Sequence, residues 1–494
     1  MGRLIIVSNR VALPSRDGSA QAGGLAVAIR AALRHRPGVW FGWSGRVAPQ
    51  QAVTTSELRQ NGLSYVVTDL AQEDYDEYYN GFANRVLWPI LHYRLDLAEY
   101  SRRDLSGYMR VNEHFASELH KFLQPDDVIW VHDYHLMPLA RMLRERGHRN
   151  RIGFFLHVPF PPAEIMTALP HHERILPCMS HYDLVGFQTE NDASNFGRYL
   201  ERECRARAID PHTFLVDDRR VRVSAFPISI ETAEFNRLAR RSSRSPFVKN
   251  VLDSLSGHIM MIGVDRLDYT KGLALRMDAY ERFLQAHPDW TGLVTYLQIT
   301  PKSRSAIAEY ADMERELGAK AGRINATYGE ASWTPIRYVN RTYSRSVLAG
   351  LYRASRMGLV TPLRDGMNLV AKEFVAAQDA DDPGILILSR FAGAAAELSA
   401  ALLVNPYDPE AVGHAIERAL IMSIEERVQR HAALLEVISK NDINFWCEQF
   451  MNALADTGWG RSPLLPADLA EPIGPRLAVG ASTPRHGAAP GFRG

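Results

Sequence analysis

Short apolar runs separated by segments of helical length recur along the chain and predict alternating β-strands and α-helices. In the first half the predicted strands cover residues 4–8, 128–132, 152–157 and 184–187. In the second half they cover residues 259–264, 293–299, 336–339, 357–361, 385–389 and 402–404. Unbroken apolar runs of this length are typical of parallel strands that helices cover on both faces. We therefore predict the α/β class, with two Rossmann-like halves.

The polar and mixed segments between these strands predict the helices and a crossing between the halves. Helical patterns cover residues 25–34, 136–146, 410–422 and 423–454. Residues 74–94 are so rich in Tyr and Trp, and so polar, that we expect them to do more than fill a core. Residues 227–246 are polar and basic, and we predict that the chain crosses there from one half to the other.

The length of 494 residues favours two domains, because single hydrophobic cores stop growing well below that size. The predicted parts are an N-terminal Rossmann-like domain at 1–228, a C-terminal one at 229–440, a helix at 441–460 that crosses back to the N-terminal domain, and a disordered tail at 461–494, rich in Pro and Gly.

Composition and charge exclude several classes of protein. Lys and Arg together number 57 against 56 Asp and Glu, so no broad basic surface for nucleic acid or membrane is expected. The three cysteines, Cys178, Cys204 and Cys447, are too scattered for a disulfide framework or a metal site, which favours a reducing compartment. We find no export signal and no membrane span, and we expect a cytoplasmic protein.

The stretch LVTPLRDGMNLVAKEFVAAQ, at residues 359–378, predicts a strand, a polar turn and a helix that begins at Leu369 behind an Asn368 cap. The N–H groups and the positive end of such a helix suit an anion such as a nucleotide phosphate. Asp365 and Glu373 lie at the same predicted edge, where carboxylates can bind the hydroxyls of a sugar or ribose. A capped helix with solvated acids remains the alternative at this point.

A second strand-to-helix loop, DRLDYTKG, follows the strand predicted at 259–264 and contains Arg266 and Lys271. Two cations beside a helix N-terminus can neutralise a diphosphate without a metal ion. Such neutralisation would stabilise a departing nucleoside diphosphate. The alternative is a surface ion pair with Asp265 or Asp268.

In the first half, His132, Asp133 and His157 fall at the C-terminal ends of predicted strands, the edge where open α/β sheets bind ligands. A metal pair in HDYH is disfavoured because no third ligand follows at a usable spacing. A loop histidine with satisfied hydrogen bonds is an equal alternative for His157.

Three further features indicate phosphate and sugar binding. Arg10 and Arg304 follow strands in different halves, so a closing cleft would bring both onto one phosphate. Tyr79 and Trp88 offer a hydroxyl donor and an apolar wall for a sugar face. The pair Gly23 and Gly24 enters a helix after the first strand in the outline of a phosphate-binding loop, without the full GxGxxG spacing.

Together these residues resemble one family. The motifs SNR, GGL, EYYN, LWP, HDYHL, FLHVPFP, GFQTEND, DRLDYTKGL, GRINATYG and PLRDGMNLVAKEFVAAQ occur in the order found in trehalose-6-phosphate synthases, from about residue 3 to residue 455. These are retaining glycosyltransferases of the GT-B fold, in which two Rossmann-like domains face a cleft. The resemblance implies transfer of glucose from a nucleotide diphosphate glucose, with UDP-glucose preferred, to glucose 6-phosphate, giving α,α-trehalose 6-phosphate.

The resemblance also implies a role for each matching residue. The donor-binding set is Gly23, Gly24, His157, Arg266, Lys271, Tyr343, Asp365, Asn368, Leu369 and Glu373. The acceptor-binding set is Arg10, Tyr79, Trp88, Asp133 and Arg304. The catalytic set drawn from both is His157, Asp133, Arg266, Lys271 and Asp365.

The expected partners are the two sugar substrates and further copies of the same chain, with no nucleic acid, membrane, cofactor or metal ion. Two alternatives stay open at this stage: a sister transferase with another phosphorylated acceptor, such as glycerol 3-phosphate or a pseudo-sugar phosphate, and a catalytically silent sugar-phosphate sensor. The sequence leaves open whether the donor base is that of UDP, GDP or ADP.

Overall fold

A computed structural model of the protein describes residues 2–14, 24–33, 38–49, 52–60, 62–301 and 308–457, which form two β-sheets. The strands of the first sheet are β1 (Leu4–Arg10), β2 (Gly38–Ala48), β3 (Thr55–Gln60), β4 (Leu63–Ala71), β5 (Val128–His132), β6 (Arg151–Phe155), β7 (Leu184–Phe187), β8 (Arg207–Asp210), β9 (Thr213–Val216) and β10 (Arg219–Ala225). The strands of the second are β11 (Ile259–Val264), β12 (Val294–Ile299), β13 (Ile336–Val339), β14 (Met357–Val360), β15 (Ile385–Ser389) and β16 (Leu402–Val404).

The α-helices follow the strands in the alternation that the sequence predicts. They are α1 (Gly24–Leu33), α2 (Gln72–Asp74), α3 (Trp88–Leu91), α4 (Arg102–His120), α5 (Leu139–Glu145), α6 (Ala163–Met166), α7 (Glu190–Glu203), α8 (Thr232–Ser242), α9 (Pro246–Asp253), α10 (Leu273–Ala286), α11 (Ala308–Tyr328), α12 (Arg345–Ala354), α13 (Leu369–Ala377), α14 (Pro409–Ile421), α15 (Ile424–Lys440) and α16 (Ile443–Ala455). The predicted α/β class is confirmed.

Each of the two sheets reverses its strand order at one point. The second sheet is parallel, in the order β13-β12-β11-β14-β15-β16, so the order reverses between β11 and β14. The parallel part of the first sheet runs β4-β2-β1-β5-β6-β7-β10, with the reversal between β1 and β5. Open α/β sheets bind ligands outside the carboxyl ends of the strands at such a point. The loops that follow β1, β5, β11 and β14 are therefore the first places to look for a site.

Several predicted elements differ from the structure. The helix predicted at 136–146 begins only at Leu139, after a tight turn at Tyr134–Leu136. The helix predicted at 423–454 is interrupted, because Asp442 caps a new helix by accepting hydrogen bonds from the N–H groups of Asn444 and Phe445. The strand predicted at 152–157 ends at Phe155, which leaves His157 in the loop beyond it.

Residues 74–94 fill part of the core and also supply the candidate site residues Tyr79 and Trp88. Most of this segment is a π-helix, Tyr75–Leu87, continuous with α2 and α3. Tyr78 and Phe82 are fully buried in the core of the first sheet, so the segment does fill a core. Its wider turn brings residues four apart into contact, as in the stacking of Tyr75 on Tyr79 with ring centroids 5.5 Å apart.

Helix α16 covers the first sheet from the far end of the chain. Phe450 stacks on Trp130 of β5 with ring centroids 4.4 Å apart, and a Cβ on Gly153 or Gly186 would lie 2.8 Å from the Phe450 ring. Glycine at these strand positions therefore makes room for one aromatic ring. Among the described residues, no helix is both long enough and apolar enough to cross a lipid bilayer.

Candidate active site

The loops after β11 and β14 meet through a buried salt bridge. Lys271, only 8% exposed, pairs with the carboxylate of Asp365, and Asn368 donates from Nδ2 to the same carboxylate at 3.0 Å. The loops are also joined by a backbone hydrogen bond from Leu363 to the carbonyl of Thr270 at 2.7 Å. Because β11 and β14 flank the reversal of strand order, this cluster occupies the expected binding edge.

Asn368 caps α13 as predicted. Its Oδ1 accepts a hydrogen bond from the N–H of Ala371 at 3.3 Å, and its backbone has φ of +71°. Asparagine tolerates this conformation better than most residues. The first turn of α13, beginning at Leu369, is thus held beside the salt bridge with its N–H groups at the sheet edge.

The alternative of a surface ion pair for the DRLDYTKG cations does not hold for Lys271. Asp265 is instead the partner of Arg276, with Nη1 and Oδ2 2.6 Å apart and both side chains buried. Arg266 is exposed, and its guanidinium lies 5.9 Å over the ring of Trp88, which belongs to the first half. Lys271 is therefore buried at the edge of the sheet, whereas Arg266 faces the first half.

The loops after β5 and β6 place Asp133 beside His157. Asp133 has φ of +77° and ψ of 164°, a region that residues other than glycine rarely adopt and that costs about 1–3 kcal/mol. Its N–H donates to the carbonyl of Phe155 at 2.8 Å, and its Oδ1 accepts from the N–H of His157 at 3.3 Å. The strained turn fixes the two predicted site residues against each other.

His157 is partly buried, and its Nε2 lies 3.1 Å from Nδ1 of His132. Burial lowers the pKa of His157 to about 3, and burial also lowers the pKa of His132 well below its ordinary value. Both rings are therefore neutral at pH 7, and one donates a hydrogen bond to the other. The His157 ring thus has a hydrogen-bond partner in His132, as the alternative of a loop histidine requires. The backbone of His157 is the part that the second half approaches.

Gly366 brings the second sheet's loop against His157. A Cβ at position 366 would lie 2.0 Å from the carbonyl oxygen of His157, far inside van der Waals contact. Only glycine permits this approach. The loop with Asp365 and the loop with His157, which belong to different sheets, therefore touch through their backbones.

The acceptor candidates share an aromatic wall. The Arg10 guanidinium lies 5.7 Å over the ring of Trp43, and Tyr79 contacts the same ring at 5.7 Å between centroids. Tyr79 also stacks on His135 at 6.0 Å with an interplanar angle of 13°. Arg10 is the last residue of β1 and Asp133 follows β5, so these candidates flank the reversal point of the first sheet.

Two predicted residues, Gly23 and Arg304, lie outside the described residues. Gly24 is the first residue of α1. The metal pair considered for HDYH is not formed, because His132 contacts His157 while His135 stacks on Tyr79. Within the described ranges, no group of three or more His, Cys, Asp and Glu side chains is arranged to hold a metal ion.

Glu373 lies on α13, and Tyr343 lies just before α12. Burial raises the pKa of Glu373 to about 7, although the positive charge of Arg345, with Nε 3.8 Å from Oε1, lowers it. Tyr343 contacts Phe247 with ring centroids 5.5 Å apart. Glu373 is thus poised to change charge near neutral pH.

Sequence reasoning missed several residues that the structure brings to this place: Arg345, His92, Tyr93, Arg364 and Gly366. The His92 ring packs on Trp88 at 4.1 Å, and its Nδ1 lies 2.8 Å from the Trp88 carbonyl. Burial lowers the pKa of His92 to about 4, so the neutral ring donates from Nδ1. The sequence offered a signal only for Arg364 and Gly366, because they are the two neighbours of the predicted site residue Asp365.

Comparison with known proteins identifies the family. The model of glycosyltransferase family 20 matches residues 3–456. A trehalose-6-phosphate synthase of Sinorhizobium fredii is 52% identical over 456 residues, which are 92% of this chain and 98% of that protein.

Solved structures agree in sequence and in fold. A UDP-forming α,α-trehalose-phosphate synthase from Burkholderia xenovorans, in complex with glucose-6-phosphate, superposes with a TM-score of 0.89 at 45% identity, covering 92% of this chain and 100% of that one. An E. coli structure bound with UDP-2-fluoro glucose gives a TM-score of 0.87 at 46% identity, covering 92% and 99%. The resemblance drawn from the motifs and the GT-B fold are confirmed, and the chain belongs to glycosyltransferase family 20.

Proposed function

We propose that this protein transfers glucose from UDP-glucose to glucose 6-phosphate and forms α,α-trehalose 6-phosphate with retention of configuration. The observation that carries the proposal is the buried Lys271–Asp365 salt bridge beside Gly366, where the donor loops touch the His157 loop of the other sheet. Support comes from relatives that are named UDP-forming trehalose-phosphate synthases, one of them solved with glucose-6-phosphate.

On the donor side, Lys271 and Arg266 hold the diphosphate, together with the backbone of Gly23 and Gly24 and the N–H groups at Asn368 and Leu369. The positive end of α13 adds to this attraction. In the free protein Asp365 compensates the charge of Lys271. A bound diphosphate supplies that negative charge instead, and the carboxylate is then free to accept hydrogen bonds from the glucose hydroxyls.

Glu373 accepts from the ribose hydroxyls, and Tyr343 lies beside the base. On the acceptor side, Arg10 and Arg304 bind the phosphate of glucose 6-phosphate. Tyr79, Trp88 and Asp133 bind the sugar. The aromatic wall that Arg10 and Tyr79 share at Trp43 supports this assignment, since it fixes a guanidinium and a phenol at the first sheet's reversal point.

The transfer is a substitution on one face of the donor sugar. The bond between C1 of glucose and the β-phosphate oxygen breaks, a bond from C1 to the acceptor's anomeric hydroxyl oxygen forms on the same face, and that hydroxyl's proton goes to the departing phosphate oxygen. The charges of Lys271 and Arg266 stabilise the departing UDP. The low pKa of His157 makes its neutral ring a weak base, so it contacts the donor sugar without serving as the proton's acceptor.

We propose that no divalent metal takes part, because Lys271 lies beside the start of α13 and Arg266 supplies a second cation from the same loop. Enzyme dialysed against a chelator should then keep most of its activity. Loss of activity that Mg²⁺ or Mn²⁺ restores would contradict this.

We also propose domain boundaries at 1–228 and 229–440, with residues 441–460 returning to the first domain. Support comes from the last strand of the first sheet, which ends at Ala225, from β11, which begins at Ile259, and from the stacking of Phe450 on Trp130.

A matrix of donors and acceptors tests the function. Nucleotide release is measured with UDP-, GDP- and ADP-glucose, each with glucose 6-phosphate, free glucose, glycerol 3-phosphate or no acceptor. We expect the highest rate with UDP-glucose and glucose 6-phosphate. Faster release with glycerol 3-phosphate would indicate a sister transferase, and binding of substrates without release would indicate a sensor.

A further inference from the structure

Three cation–π contacts join residues 88–94, here called the 88–94 segment, to loops of the second sheet. The guanidinium of Arg364 lies 3.9 Å from the ring centroid of Tyr93. Arg94 lies 5.6 Å over the ring of Tyr269, and Arg266 completes the set over Trp88. The cation comes from the second-sheet loop in two of the contacts and from the 88–94 segment in the third, so the two sides interlock.

The backbone of Tyr93 is unusual. Helix α3 ends in a Schellman motif, in which the N–H of Arg94 donates to the carbonyl of Pro89 at 2.8 Å and the N–H of Tyr93 donates to that of Ile90 at 2.9 Å. This motif places Tyr93 in the left-handed region, with φ of +65°. Glycine is the usual residue there, and a bulky aromatic at positive φ is an outlier.

Tyr93, the residue with the strained backbone, also makes the shortest of the three cation–π contacts. A glycine at position 93 would close the helix at lower backbone cost but would leave Arg364 without that ring. Strain that persists in a native structure clusters at functional positions. The 88–94 segment therefore keeps a tyrosine where the local backbone favours glycine.

Arg364 lies in the loop that carries the carboxylate of Asp365. It precedes Asp365 in the loop that Leu363 ties to Thr270. Burial raises the pKa of Asp192 on α7, and Arg364 is among the charges that lower it, so the guanidinium acts on more than one element of the first half. On the other side, Tyr93 follows the helix that begins with Trp88.

We propose that Tyr93 and Arg364 are a positioning pair that holds the Trp88 wall of the acceptor site in register with the Asp365 loop of the donor site. This role rests on the proposed function, because register between the two substrates matters only if they react with each other. Neither residue needs to touch a substrate. Correct placement of two reactants lowers the barrier of a bimolecular step, so loss of the pair acts mainly on kcat.

The test compares Tyr93→Gly, Arg364→Gln and the double variant with the wild type. Turnover with UDP-glucose and glucose 6-phosphate, KM for both substrates, UDP release without acceptor and the melting temperature are measured. We expect each single variant to lose about tenfold in kcat. KM changes little, and the fraction of UDP released by hydrolysis rises. The double variant should be no slower than the slower single variant, because both changes remove one contact.

Two controls separate positioning from folding. Tyr93→Phe keeps the ring and should keep kcat, while Arg59→Gln, at an exposed arginine on strand β3, should behave as the wild type. Tyr93→Gly should stay folded at the assay temperature because the glycine relieves backbone strain.

Wild-type kcat in both single variants overturns the proposal, and so does a multiplicative loss in the double variant. Inactivity explained by unfolding at the assay temperature in both variants overturns it too. The wild type in the same assay distinguishes the two claims, since normal transfer with unaffected variants leaves the proposed function standing, whereas no transfer by the wild type overturns both.

Discussion

Lys271 and Asp365 form a buried salt bridge although 94 residues separate them in the chain. The bridge joins the two loops that flank the reversal of strand order in the second sheet. A buried pair of this kind is costly when one partner is removed, because the other charge stays behind without compensation. In the proposed function, a donor diphosphate replaces Asp365 as the partner of Lys271, and the carboxylate is then released.

Replacing Lys271 with Ala should reduce kcat more than it raises the acceptor KM. Losing a buried charge partner costs about 2–5 kcal/mol, and even 2 kcal/mol corresponds to roughly thirtyfold in rate. Steady-state kinetics at saturating donor measure this. The matched control is Lys320→Ala, which removes a salt bridge to Asp278 between two helices of the same half and should leave kcat unchanged. Near-normal turnover of Lys271→Ala would contradict the role.

Gly366→Ala should separate the two halves of the site. The new Cβ would lie 2.0 Å from the carbonyl oxygen of His157, so the loops must move apart. We expect a loss of kcat of at least about tenfold, since misplacement by about 1 Å can cost a hundredfold. Gly318→Ala is the control, because a Cβ there meets nothing within 4 Å and alanine stabilises a helix. Equal activity in the two variants would refute the close approach.

Donor binding should depend on pH through Glu373. Burial raises its folded pKa to about 7, so the carboxyl is largely protonated below that value in the free protein. Ribose hydroxyls donate best to the ionised form, and the donor KM should therefore fall as pH rises from about 6 to about 8. In Glu373→Gln this dependence should disappear. A wild-type donor KM that is flat across this range counts against the assignment.

The same group makes a prediction for stability. Because the folded pKa of this acid is raised, its favourable contribution is complete below the unfolded pKa and is lost as pH rises towards 7. The free energy of unfolding of the wild type, relative to Glu373→Gln, should decline between about pH 4.5 and pH 7. Denaturant titrations at a series of pH values measure this difference in the free energy of unfolding. A rise in the difference over this interval would contradict the prediction.

Arg10 should act through the acceptor's phosphate. A hydrogen bond to a charged group contributes about 1.5–3 kcal/mol, so Arg10→Ala should lower kcat/KM for glucose 6-phosphate by roughly ten- to a hundredfold. Free glucose should be a very poor acceptor for the wild type, and the variant should lose little more with it. Arg59→Ala on the exposed edge strand is the control. If both arginines bind one phosphate, as we propose, a double variant with Arg304→Ala should fall short of the product of the single losses.

Much of the second sheet was predictable from the sequence. The strands Ile259–Val264, Ile336–Val339, Ile385–Ser389 and Leu402–Val404 agree with the prediction residue for residue, because each is a short apolar run between polar turns. The cap at Asn368 was predictable for the same reason, since a local hydrogen bond determines it.

Contacts between distant loops were not predictable in this way. The π-helix Tyr75–Leu87 matches neither a strand nor an α-helical period, so its buried face escaped the pattern. Nothing local in the sequence indicates that Arg364 meets Tyr93 or that Gly366 meets His157. These contacts depend on how the loops of the two sheets pack. The hydrophobic periodicity of a single segment carries no information about that packing.

An isotope label on the transferred carbon tests the proposed glucose transfer directly. UDP-glucose labelled with ¹³C at C1 of the glucose is incubated with the enzyme and glucose 6-phosphate, and the products are followed by NMR. We expect the label to appear in an α,α-linked non-reducing disaccharide phosphate, in equal amount to the UDP released. Label appearing only in free glucose, in a β-linked product or in no product beyond the starting donor would contradict it.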